Sequence, residues 1–107
     1  MASKELIKGT LRIIILRLLS ENKRMYGYEM TQRVKELSGN EIELTFGAIY
    51  PTLHKLEAEG LLTTKTVIID SRARKYYSLT SEGNKTASTE LKSYFDFAKA
   101  MNLVLKF

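Results

Sequence analysis

The sequence predicts a mainly α fold with a small β-hairpin, and three observations predict it. Apolar residues recur at helical spacing in four stretches, with cap and stop residues between them. Between the third and fourth lies "LLTTKTVIIDSRARKYYSLT" (61–80), rich in the Thr, Val, Ile and Tyr that suit strands. Leu, Ile, Val and Phe supply 30 of the 107 residues, too many for a disordered chain and enough for one modest core.

The first helix is expected over residues 4–20. Ile7, Leu11, Ile14 and Leu18 form one stripe, and Leu6, Ile13, Ile15, Leu16 and Leu19 widen it until it nearly encircles the helix. A single core needs a stripe of only about 100°, so this helix has apolar surface for two partners. "ENKRMYGYE" then reads as a connection into a second helix with Met30, Val34 and Leu37 on its buried face. Ser38-Gly39-Asn40 ends that helix, with Gly39 in a left-handed position. "EIEL" (41–44) is a link or a single sheet rung. Thr45 caps a third helix running to about Glu59, with Gly60 as its stop.

Residues 61–70 and 74–80 pair as a hairpin. The connection has no Gly, and a two-residue hairpin turn usually wants one, so a longer loop from Asp70 to Arg74 is expected. The last helix starts near Thr80. Ala87, Leu91, Tyr94, Ala98, Met101 and Leu105 step by 4, 3, 4, 3 and 4, the repeat of a coiled-coil seam.

Composition narrows function. The chain has no Cys and one His, His54, so disulfides and thiolate zinc sites are excluded and neither a metal nor a cofactor is expected. No nucleophile–base set, paired carboxylates or phosphate-binding glycine loop points to an enzyme. The longest apolar run, Ile13 to Leu16, falls far short of the ~20 residues of a membrane span, and no leader cleavage site is apparent. The expected location is cytoplasmic, with no membrane partner. The net charge of +5 is blocky: +4 over residues 1–24, −3 over 25–60, +3 over 61–78 and +1 beyond. Two basic blocks of this kind fit phosphates or a solvated face.

Three helices followed by a hairpin is the order of a winged helix-turn-helix. Residues 1–80 are therefore read as a DNA-binding domain and 81–107 as a C-terminal dimerisation helix. "YGYEM" (26–30), "IYPTLHKLEAEGLL" (49–62) and "RKYYSLTSEG" (74–83), with "ELIKGTL" at the start, make the chain resemble the PadR family of transcriptional regulators. The single short C-terminal helix is similar to the compact branch of that family. The resemblance implies a homodimer on double-stranded operator DNA, usually as a repressor, in some members released by a phenolic or other small aromatic effector. The chain departs from the family in lacking glycines at the wing tip "DSRAR" and in having no Trp, Tyr94 standing where relatives carry one.

Pro51 sits inside the third helix pattern. It either loosens the second turn or lies close to the helix start, where its missing N–H costs nothing. Either way the N-terminal turn is set apart from the body, and that end of a recognition helix meets base edges. Candidate DNA-binding residues are Thr45, Gly47, Ala48, Tyr50 and Lys55, with Arg72, Arg74 and Lys75 from the wing. Gly47 and Ala48 are small enough for close approach, or serve helix packing. Tyr50 meets DNA or covers the core, and Lys55 pairs a phosphate. The helix is poor in Arg, Asn and Gln, so affinity should come mainly from phosphates and the wing.

The surplus face of the first helix and the seam of the last answer each other across a two-fold axis. The expected dimer interface is Leu11, Ile15, Leu91, Tyr94, Ala98, Met101 and Leu105. Tyr94 and Phe97 either fill the dimer core or, as the resemblance suggests, line an effector cavity. The alternative function is a winged-helix protein-interaction module without specific DNA binding, which the acidic middle block favours and the basic wing opposes.

Overall fold

A computed structural model of the chain describes residues 1–106. The order is α1 (Lys4–Glu21), β1 (Met25–Tyr26), α2 (Gly27–Leu37), α3 (Phe46–Ala58), β2 (Leu62–Ile69), β3 (Arg72–Leu79) and α4 (Ser81–Leu105). The strands form one antiparallel sheet in the order β1-β3-β2. The architecture is the winged helix-turn-helix followed by a long helix. The expected second unit is α4 alone, and Phe107, at its expected end, lies outside the described residues.

Each helix starts on a side chain that takes an otherwise unpaired backbone donor. The Ser3 hydroxyl accepts from the Leu6 N–H at 3.1 Å, Thr45 from Ala48 at 3.2 Å and Thr80 from Gly83 at 3.0 Å. At α2 the direction reverses: Tyr26, preceding the helix, donates its N–H to Glu29 Oε1 at 3.1 Å. Gly39 and Gly60 follow α2 and α3 with φ of +59° and +79°, a left-handed conformation that glycine adopts at little cost.

The core lies where the inner faces of α1, α2 and α3 meet the sheet. Leu11, Ile15, Leu18 and Leu19 come from α1, Met30 and Val34 from α2, Ile49, Leu53 and Leu56 from α3, and Leu62 and Tyr77 from the sheet. Burying each such side chain stabilises the fold by about 1.5–3 kcal/mol. Leu11 and Ile15 were expected at a dimer interface, but this core takes them, at 3% and 0% exposure. Of the other apolar residues of α1, Ile7 and Ile14 pack against the edge of this core, Ile13 is half-buried and Leu6 is 67% exposed. Leu37 departs in the opposite sense. It was expected in the core and is 63% exposed, because α2 ends there and the chain turns away at Ser38.

The sheet differs from expectation at both ends. "EIEL" is a link, with Leu44 buried and no rung formed; the third strand is β1, where Met25 faces Tyr77 and Tyr26 faces Tyr76. Two residues carry no visible alternation, so the sequence pattern leaves β1 hidden. The hairpin closes through Asp70 and Ser71 alone rather than a longer loop. Their φ values are +50° and +63°, the signature of a type I′ turn made without glycine. Such a turn matches the right-handed twist of the strands, and Asp tolerates the left-handed region better than most residues.

The first turn of α4 is pressed onto the end of α3. A Cβ at Gly83 would collide with the Leu61 carbonyl oxygen, so glycine is required there. Thr80 holds the same junction, its N–H donating to the Leu61 carbonyl at 3.0 Å and its hydroxyl to the Gly60 carbonyl at 2.7 Å. Ala87 is the last buried residue of α4; Glu90 and Leu91 are half-buried, most of the helix beyond them is exposed, and the protomer is 52 Å long and 20 Å thin.

Candidate nucleic-acid interface

Pro51 lies inside α3, the sixth residue of a helix that begins at Phe46. Its ring nitrogen has no hydrogen to donate to the Gly47 carbonyl four residues back. Gly47 is an exposed residue of the first helical turn. The helix keeps its first turn through the Ile49 N–H to the Thr45 carbonyl at 3.0 Å, and the Thr52 hydroxyl adds a bond to the Ala48 carbonyl at 3.3 Å. These bonds keep the helix continuous, and the missing donor of Pro51 leaves one carbonyl unpaired close to the exposed start of α3.

Ile49, Leu53 and Leu56 face inward, and helical periodicity turns Gly47, Pro51, His54 and Ala58 to the opposite side, with Lys55 beside them. All five are exposed. Space around Gly47 is open: among the described residues, nothing beyond its own chain neighbours and helix backbone comes within 4 Å of the position a Cβ would take. Beyond the α3 N-terminus, Lys4 and Lys8 of α1 join Thr45, Gly47 and Pro51 around a groove of about 490 Å³. These two lysines were not among the residues expected to meet DNA. Their i, i+4 spacing inside the first basic block was the available signal.

The flank of α3 carries a row of rings. Phe46 and Tyr50 have centroids 5.8 Å apart, and Tyr50 and His54 6.4 Å. Tyr50 is seated on α2, because a Cβ on Gly27 would lie 2.5 Å from its hydroxyl. It covers the α2–α3 contact and leaves 37% of its surface open. Ala48 is half-buried against the core, so its small size serves packing. Thr45 spends one lone pair of its hydroxyl on the cap and keeps its proton for an outside acceptor.

The wing residues separate by strand alternation. Arg72 and Arg74 share the outer face of the sheet, whereas Lys75 lies on the inner face with its Nζ 3.8 Å from Glu57 Oε1 of α3. Lys75 is therefore not grouped with the two arginines. The Arg74 guanidinium stands 4.6 Å from the centre of the Tyr26 ring. Tyr76 first, then Tyr26 and Glu29, push it further above its ordinary range, so it stays charged at any working pH. Beneath α3, burial raises the Tyr77 hydroxyl, with Glu57 and Tyr50 adding to the effect.

A second surface is apolar. Ile13, Ile14, Leu18, Val34, Leu37, Tyr94 and Phe95 line a groove of about 430 Å³ between α1, α2 and α4. Leu91 and Ala98 are half-buried, Tyr94 and Met101 are 38% and 37% exposed, and Leu105 is 54% exposed. Phe97, expected beside Tyr94, points elsewhere and does not line the groove; Phe95 takes that place. Among the described residues no helix is long and apolar enough to cross a membrane, and no group of His, Asp or Glu side chains could hold a metal ion.

Comparison with known proteins gives this geometry a family. Residues 15–89 match the model of the transcriptional regulator PadR-like family. The chain is 32% identical to the transcriptional regulator Rv3488 of Mycobacterium tuberculosis, over 90% of its own length and 86% of that protein's. It is 36% identical to the negative transcriptional regulator PadR of Bacillus subtilis over 70% of its length, spanning 41% of that larger protein. The crystal structure of a PadR-like transcriptional regulator from Bacillus cereus superposes with a TM-score of 0.79 at 25% identity, covering 97% of this chain and 99% of that one. Matched across most of its length in both sequence and fold, the chain belongs to the PadR-like family of transcriptional regulators.

Proposed function

We propose that the chain is a homodimeric repressor that binds operator DNA through α3 and the hairpin. The observation that carries this reading is the outer face of α3, where Gly47 and Pro51 present exposed backbone rather than bulky side chains. Such a surface lets the N-terminal turn sink close to base edges, while Thr45, Lys55 and Tyr50 at its margins hold the flanking backbone. Lys4 and Lys8 add charge beside the turn, and Arg72 adds it from the hairpin. Repression is supported by the similarity to the negative regulator of Bacillus subtilis.

Dimerisation accounts for the apolar surface beyond Ala87. Leu91, Tyr94, Ala98, Met101 and Leu105 of one protomer would cover Ile13, Ile14 and Leu37 of the other. A two-fold pair places the two α3 helices roughly 34–36 Å apart, one DNA turn, and implies an inverted-repeat operator. A small aromatic effector belongs in the same groove between subunits, against Tyr94 and Phe95, where it would change the angle of α4.

Selection from a random pool of duplex DNA, at about 150 mM salt, tests this reading. An enriched inverted repeat with half-sites one turn apart is the expected result. Retention without enrichment would leave only phosphate binding and sink the claim of sequence-specific regulation.

A further inference from the structure

We propose that Phe46 reads a thymine methyl group in each half of the operator, and so helps to set the sequence this chain selects. This rests on the reading of the chain as a DNA-binding regulator. Phe46 is the first residue of α3, next to the Thr45 cap. It lies outside the core and keeps 51% of its surface exposed. Side chains of a helix lean toward its N-terminus, so the ring of a first residue projects past the helix start. That is the end of a recognition helix that meets base edges.

The ring is backed from within the helix. Tyr50, one turn further on, has its centroid 5.8 Å from that of Phe46, and its hydroxyl is seated against Gly27 of α2. A ring supported in this way has less freedom left to lose when it is pressed against DNA.

The neighbours of Phe46 decide what can be read. The first two turns of α3 also expose Gly47, Tyr50 and Pro51. None of them carries the amide or guanidinium that pairs bidentately with adenine or guanine, and the Tyr50 hydroxyl is taken up at α2. Apolar carbon from Phe46, Gly47 and Pro51 is therefore what this turn offers to the groove. Among the four base pairs the major groove shows one apolar mark, the C5-methyl of thymine. A ring can gain by burying that methyl, whereas cytosine at the same place has none to bury.

The experiment uses the full chain and the selected inverted repeat. Each thymine of the half-site is replaced in turn by deoxyuridine, in one half or in both. Uracil pairs with adenine as thymine does and lacks only the methyl. Affinity is read by fluorescence anisotropy at about 150 mM salt. The half-site should contain a thymine at which uracil weakens the parent about fourfold in one half and about fifteenfold in both, the scale of one buried methyl per half-site. Phe46→Ala should bind the thymine duplex less tightly and lose nothing more with uracil at that position. Phe46→Leu should keep part of the difference. The substituted side chain is half-exposed, and circular dichroism should report an unchanged fold. A parent that binds its repeat equally well with uracil at every position would overturn methyl reading and leave the operator reading standing. A Phe46→Ala variant as sensitive to uracil as the parent would show that another residue reads the methyl and that Phe46 serves the helix alone. A parent that selects no duplex would overturn the operator reading and this inference with it.

Discussion

Arg12 holds Glu90 through two parallel bonds, Nε to Oε1 at 2.8 Å and Nη2 to Oε2 at 2.9 Å. Its remaining nitrogen, Nη1, turns to Glu59 Oε2 at 2.8 Å. One guanidinium thus ties α1 to α4 and to the end of α3, and the two carboxylates, Glu90 first, push it far above its ordinary range. The fork geometry suits arginine alone, since lysine offers a single point charge. Side chains at this junction are about one-third exposed, so solvent screens the pair. Arg12→Ala should cost about 1–2 kcal/mol by urea unfolding. A double-mutant cycle with Glu90→Ala should show coupling of about 1 kcal/mol. Strict additivity would mean that the bidentate pair contributes nothing.

The same contact gives stability a pH dependence. Arg12 lowers the Glu59 carboxyl from its ordinary 4.5, chiefly by hydrogen bonding. A group lowered in the folded state binds fewer protons there than in the unfolded chain. Its contribution is therefore present above 4.5 and is lost as pH falls through the lower folded value. Melting temperatures of the parent and Glu59→Gln should differ at neutral pH and converge in acid. A constant gap down through that range would remove Glu59 from the account.

Gly47 separates the needs of folding from those of binding. Its surroundings have room for a side chain, so Gly47→Ala should fold normally and gain a few tenths of a kcal/mol or more from helix propensity. Gly47→Val should also fold, yet weaken operator binding by about tenfold or more, the scale of one lost base contact. Full binding by the valine variant would show that the backbone at this turn stays clear of DNA.

The hairpin turn stores strain at Ser71, whose φ of +63° costs a non-glycine residue roughly 1–2 kcal/mol. Ser71→Gly should recover part of this, raising the melting temperature by about 4–8 °C for each 1 kcal/mol gained. Lower stability in the glycine variant would mean that the serine side chain, rather than the turn, governs this position.

Tyr94 and Met101 test the dimer without disturbing the core, since both are more than one-third exposed in the protomer. Tyr94→Asp/Met101→Asp should give a monomer by sedimentation with unchanged helicity. A persistent dimer would locate the interface elsewhere and leave the seam of α4 unexplained.

Much of this architecture was legible in local patterns. Thr45, Thr80, Gly39 and Gly60 mark helix ends because capping and left-handed conformation depend on residues only a few positions away. Met30, Val34, Ile49, Leu53 and Leu56 were readable for the same reason, each repeating along one face of its own helix. Arg72 and Arg74 could be named from composition. Their separation from Lys75 requires the strand register, which two distant segments decide together.

Tertiary structure alone chose which face of α1 the core would take. Leu11, Ile15, Leu18 and Leu19 went inside while Ile13 stayed half-buried and Leu6 exposed, and apolar residues that nearly encircle α1 hold no internal signal to decide among them. β1 exists only because β3 supplies an edge for Met25 and Tyr26 to pair with. Arg12 finds Glu90 across 78 residues of chain. Periodicity and capping are short-range properties of neighbouring residues and survive being read one stretch at a time. Pairing, register and the surplus face of α1 are set by packing between segments far apart in the chain.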